Sequence, residues 1–224
     1  EILKEKGYEL EIREFTDYVL PNTTLNAKDI DANYFQHQPY LEKFNQEHNT
    51  RIIALGGIHY EPMGIYPGKT ATLEDLPEGA KIAIPNDGTN EARALLLLEK
   101  AGLIKLKDGA DLNATVLDIV ENPKKLDILE VEAAQVAISL QDVDLGVLNG
   151  NYALGIGLNV VEDSLLREEG LDSPAGKFIN VLAVHADDAN REDLKALLEA
   201  LKSEKVRQFI EEKYKGSVVP VPAE

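Results

Sequence analysis

The chain reads as an α/β protein built from two lobes. Segments of apolar alternation are followed repeatedly by segments of helical periodicity, the pattern of parallel strand–helix–strand construction. The 224 residues suffice for one large domain or two modest lobes. Two segments, one near residue 76 and one near residue 181, are placed where the chain can pass from one lobe to the other.

The predicted strands are 8–15, 30–35, 51–55, 81–84, 126–131, 145–148 and 178–184, and the predicted helices are 39–47, 90–101, 133–140, 151–157 and 191–214. Residues 1–6 read as the last turns of a helix that Gly7 caps, with strand 8–15 directly after it. In a parallel lobe a strand precedes such a helix, so an upstream strand is expected; without it the edges of 8–15 or 30–35 lack a neighbour and invite pairing with another chain. Helix 39–47 opens on Pro39, which suits the first helical position. The acidic Pro/Gly stretch 73–79 is a connector and the first expected crossing. Strand 178–184 is the second. The expected lobes are therefore 1–80 with 185–224, and 81–184, with a ligand cleft between them. In the last helix Leu194, Leu197, Leu198, Leu201, Val206, Phe209 and Ile210 recur at helical spacing, so one stripe is buried.

Composition narrows the function. Hydrophobic residues at 44% supply real cores, and charged residues at 28% supply an ordinary surface. A net charge of -17 repels phosphates and anionic headgroups, which excludes nucleic acid as a partner. No apolar run reaches the roughly 18–20 residues of a membrane span, and no signal peptide is present in these residues. With no cysteine there is no disulfide, thiolate nucleophile or zinc-thiolate site.

Several polar residues stand where a polar residue is costly. His37 lies at the carboxyl end of a strand and just before a helix, the edge of an open α/β sheet where ligands bind; it or Gln38 also serves as a helix cap. Arg93 sits in the first turn of a helix, where partial positive charge favours anions. Its planar fork suits a carboxylate there, the alternative being an exposed side chain that reaches away. Were Arg93 there for a ligand, its removal would leave the fold intact. Asn149 and Asn151 follow strand 145–148; Asn151 is a natural cap, and Asn149 is freer to face the cleft. Asn180 is enclosed by Phe178, Ile179, Val181 and Leu182, and its amide needs backbone or a bound zwitterion as partner.

Catalytic motifs are missing: there is no His-Glu-x-x-His, Gly-x-Ser-x-Gly or phosphate-binding Gly-x-x-x-x-Gly-Lys sequence. Asp87-Gly88-Thr89 has the tail of a phosphatase loop, but Pro85 occupies the nucleophile position. The four histidines at 37, 48, 59 and 185 have no metal-ligand spacing.

Taken in order, Asp17-Tyr18-Val19-Leu20-Pro21-Asn22, Asp31 to Leu41, Ile84-Pro85-Asn86-Asp87, Thr89-Asn90, Arg93 to Leu98, Gly102-Leu103-Ile104 and Glu121-Asn122-Pro123 resemble the methionine-binding lipoproteins of the NlpA type, over nearly the whole chain. That resemblance implies a periplasmic-binding-protein fold with two crossings (type II), no cofactor, and capture of methionine for the membrane permease of an ABC importer. It implies an extracytoplasmic protein held to the membrane only through a lipid anchor, whose cysteine is not in this sequence. It also implies ligand roles: Arg93 for the carboxylate, Asn149 and Asn180 for the zwitterion, His37 and Tyr40 completing the pocket, Tyr18 and Tyr60 flanking the thioether. Gly-Met is an alternative ligand. The competing reading is a small-molecule enzyme on the same scaffold with His37 as general base.

Overall fold

The strand Ile179–His185 organises the first sheet. Six of its seven residues are buried, as expected of an apolar run covered on both faces. It pairs antiparallel with Ala32–His37 on one side and with Ile52–Tyr60 on the other, and Val219–Pro220 completes the order beyond Ile52–Tyr60. The computed structural model describes residues 1–170 and 174–222. Its chain divides into two units, Glu1–Tyr60 with Leu171–Glu224, and Glu61–Gly170.

In the first unit Leu25, Leu41, Ile52, Val181 and Ala183 form the apolar core, flanked by Ile30 and Ala54. The helix Leu20–Asn26 carries Pro21 in its first turn and is tied to strand Ala32–His37 by three buried amides. Asn22 Nδ2 donates to Gln36 Oε1 at 2.7 Å, Gln36 Nε2 donates back to Asn22 Oδ1 at 2.7 Å, and Asn33 Nδ2 donates to Asn22 Oδ1 at 2.9 Å. The Asn22, Asn33 and Gln36 positions in the recurring motifs are thus a closed structural network.

The second unit holds a five-stranded sheet in the order Asp127–Val131, Lys81–Pro85, Leu145–Leu148, Gly64–Pro67, Leu166–Arg167. The first three strands are mutually parallel, and Gly64–Pro67 pairs antiparallel with both of its neighbours. One face packs on Leu95, Leu97 and Leu98 of the helix Gly88–Lys100, the other on Val136, Ala137 and Leu140. Gly68 leaves the strand Gly64–Pro67 where a Cβ would stand 2.3 Å from the Leu140 carbonyl oxygen and 2.4 Å from that of Val143, so no larger residue fits. Because Lys81–Pro85 and Leu145–Leu148 run parallel, the helices that follow them both begin at the same sheet edge.

Several expectations change. Segment 8–15 is not a strand: it pairs with none among the described residues, and Leu10 and Ile12, its alternating apolar residues, are 51% and 75% exposed. The sheet of the first unit is antiparallel throughout, so parallel construction holds only for three strands of the second. The strand Gly64–Pro67, bounded by glycine and proline, and the helix Leu20–Asn26, with Pro21 in its first turn, were not expected. The long helix 191–214 is two, Glu192–Leu201 and Glu204–Tyr214. Ser203 ends the first by donating to the Ala200 carbonyl at 2.7 Å and caps the second by accepting from Val206 N at 3.4 Å. The expected boundaries at 80/81 and 184/185 fall instead at 60/61 and 170/171. Connector 73–79 lies inside the second unit, whose sheet includes Gly64–Pro67, and Ile179–His185 belongs to the sheet of the first.

Candidate functional site

In the second unit the site is built on the first turns of Gly88–Lys100. Asp87 is extended and caps the helix, accepting from Asn90 N at 3.1 Å, from Thr89 Oγ1 at 3.4 Å, and from Asn90 Nδ2 at 2.8 and 3.0 Å on its two oxygens. Burial pushes the Asp87 carboxyl above the usual carboxylate range, and these donors pull it back only in part. Asn90 uses its remaining oxygen to accept from Asn149 Nδ2 at 3.0 Å. Asn149 follows Leu145–Leu148 and is only 6% exposed, yet its Oδ1 has no hydrogen-bond partner among the described residues. A buried acceptor left so costs roughly 1–3 kcal/mol.

Arg93, one turn beyond Asn90 and on the same face of the helix, is 4% exposed. It is therefore not the exposed side chain of the alternative reading. Its Nε and Nη2 each donate to the Glu168 carboxylate at 2.6 Å, and Nη2 also donates to the Glu61 carbonyl at 2.7 Å. Glu168 in turn accepts from Met63 N at 2.8 Å. The expectation that Arg93 has no part in the fold is thereby corrected: at least three of its N–H groups hold protein partners in a buried pair.

In the first unit the structure brings Tyr18, His37 and Tyr40 together. Tyr40 OH donates to the Tyr18 carbonyl at 2.9 Å, and the two rings lie edge to face with centroids 5.8 Å apart. His37 is buried and caps the helix Gln38–His48, its Nδ1 accepting from Tyr40 N at 3.1 Å. Both the sheet-edge placement and the capping role hold for His37. Phe35 lies against Tyr18 and Tyr40, and Phe178 against His37; sequence reasoning did not single out either ring. Asn180 is buried and sits between His37 and His59 on the neighbouring strands. Tyr60 ends its strand opposite Ile179 and Val219 and is wholly buried. His59 is engaged through Nδ1 by the Tyr34 hydroxyl.

Among the described residues no group of three acidic or histidine side chains is placed to hold a metal ion, and no helix is long and apolar enough to cross a membrane. The model of the NlpA lipoprotein family matches residues 1–222. The chain belongs to the NlpA lipoprotein family. Within it, the D-methionine-binding lipoprotein MetQ of Escherichia coli strain K12 is 41% identical over 221 residues, 97% of this chain and 80% of that protein. A nutrient-binding protein from Burkholderia cenocepacia, solved bound to methionine, is 46% identical with a TM-score of 0.93, over 99% of this chain and 92% of that one. An ABC transporter periplasmic substrate-binding protein from Coxiella burnetii is 44% identical with a TM-score of 0.91, over 98% and 93%. This member of the NlpA lipoprotein family thus has the fold of periplasmic substrate-binding proteins.

Glu168, Asp87 and Asn90 were absent from the sequence-derived site. The Asp, Asn and Thr side chains of 86–90 are of the types that cap helices, but the shared role of Asp87 and Asn90 with Asn149 needed the parallel pairing of two strands. Glu168 is one of 40 acidic residues and carries no local signal.

Proposed function

We propose that the chain is an extracytoplasmic solute-binding protein that captures methionine, or a close relative such as Gly-Met, for the permease of an ABC importer. The observation that carries this reading is the Asn149 Oδ1, a buried acceptor without a donor. An α-ammonium group supplies that donor with a charge-assisted hydrogen bond, which is stronger than a neutral one. The names of the relatives, which specify D-methionine, methionine and ABC transport, support the ligand and the partner. Lipoprotein relatives support a lipid-anchored location at the cell envelope.

In this reading Arg93 engages the carboxylate through its N–H groups, and Asn149 and Asn180 engage the ammonium end. His37 and Tyr40 complete the enclosure, and Tyr18 and Tyr60 flank the side chain. Burying the thioether contributes roughly 1.5–3 kcal/mol, with sulfur–aromatic contact adding about 0.3–1.5 kcal/mol. Together with the charged contacts this gives a Kd in the micromolar range or tighter.

His37 does not support the enzymatic alternative. Its Nδ1 accepts a backbone N–H, so in the neutral ring the proton sits on Nε2, and that nitrogen donates instead of abstracting. Calorimetric titration with L-methionine, D-methionine and Gly-Met tests the proposal, with the ligand recovered intact afterwards. Absence of heat with all three removes the ligand assignment, and chemical turnover restores the enzyme.

A further inference from the structure

An asparagine amide has an oxygen end and an N–H₂ end of nearly the same shape, so only its partners decide which way it faces. Between Asp87, Asn90 and Asn149 that decision passes along a chain. The ionised Asp87 carboxylate has no proton to give; burial works against that charge, while four donor contacts, all directed at its oxygens, and the start of a 13-residue helix work for it. Asn90 must therefore turn its N–H₂ toward Asp87, which it does against both oxygens. Its oxygen is left to face Asn149, and only the N–H₂ of Asn149 satisfies it. The oxygen of Asn149 is then the end that remains, buried and without a partner among the described residues. Reversing either amide sets oxygen against oxygen in a site where both residues are almost fully buried.

We propose that Asp87 and Asn90 are positioning residues that fix the polarity of Asn149, so that the second unit presents a hydrogen-bond acceptor and selects a ligand bearing an ammonium group. The inference rests on the reading that the ligand is an amino acid. It makes recognition of the amine a property of three residues, of which only the last meets the ligand. Asp87→Asn keeps a good helix cap but removes the discrimination, because an amide at that position satisfies either end of Asn90.

The test is calorimetric titration of methionine and of 4-(methylthio)butanoic acid, which keeps the thioether and carboxylate and lacks the amine. The parent chain is expected to favour methionine strongly. D87N is expected to lose at least tenfold in methionine affinity with the desamino acid unchanged, so the preference collapses. The double variant D87N/N149D reverses every link: the amide at 87 donates to the Asn90 oxygen, the Asn90 N–H₂ faces a carboxylate at 149, and an acceptor again meets the ligand. Its recovery of the methionine preference over D87N, together with a higher methionine affinity than N149D alone, in which one Asn90 N–H₂ cannot serve two carboxylates, is the outcome that a purely structural role does not produce. A parent-like preference in D87N, or no recovery in the double variant, overturns the relay. Should D87N fail to fold, N90A carries the same pair of titrations, and an unchanged preference there overturns it equally. No binding of methionine by the parent chain overturns the amino-acid reading itself, and the relay with it.

Discussion

Replacing Glu168 with alanine removes the counter-charge of a guanidinium that has almost no access to water. The two side chains are 4% and 9% exposed and joined by two 2.6 Å hydrogen bonds. With charge centres about 4 Å apart and an effective dielectric constant near 20, their attraction is about 4 kcal/mol. The desolvation that opposes this attraction falls on both ions, so losing one partner leaves the other buried and uncompensated, at roughly 3–5 kcal/mol. Met63 N also loses its acceptor, which places E168A toward the upper end of that range. For a chain of this length about 4 kcal/mol corresponds to a fall in Tm of about 8–16 °C. Removing both charges together, as R93M/E168M, eliminates the two desolvation costs at once, and that variant is expected within about 2 kcal/mol of the parent. Thermal and urea denaturation of the parent, R93M, E168M and R93M/E168M measure the coupling directly. Additive single and double effects, or a Tm of E168A within about 2 °C of the parent, would show that Glu168 does not neutralise Arg93.

Two further predictions follow from the same helix. Arg93→Ala is expected to weaken methionine binding by about 2–5 kcal/mol by calorimetry and also to lower Tm, since it strands Glu168; an unchanged affinity would return Arg93 to a purely structural role. Burial, with Glu130 nearby as a smaller contribution, holds the Glu91 carboxyl above its ordinary 4.5, against the opposing hydrogen bond from Val116 N. The folded chain therefore binds this proton more tightly than the unfolded chain, and stability is lost as pH rises from about 4.5 through the raised folded value. Glu91→Gln keeps an acceptor for Val116 N without the charge, so its Tm gain over the parent is expected to be small near pH 4 and larger at pH 7. A gain independent of pH would contradict the assignment.

The features written in the sequence are those that depend on residues a few positions apart. Helix entry at Pro39, with His37 or Gln38 as cap, is a matter of three-residue spacing and was legible, as was a helix near residue 90, although its start at Gly88 with Asp87 as cap was not. So were the strand Leu145–Leu148 with Asn149 at its end, and the burial of Asn180 within an apolar run. Period and capping are local, and a local hydrogen bond leaves a local pattern. Strand direction leaves none: alternation looks alike in parallel and antiparallel ladders, which is why the sheet of the first unit was misjudged and the unit boundaries shifted with it. The same distance hid the partners that complete the site. Asn90 and Asn149 are 59 residues apart and meet because two parallel strands end on one edge, while Glu168 reaches Arg93 across 75 residues. One carboxylate among 40 is indistinguishable from a solvated surface charge until the chain folds around it, and only the packing of the second unit turns it into the counter-ion of a buried arginine.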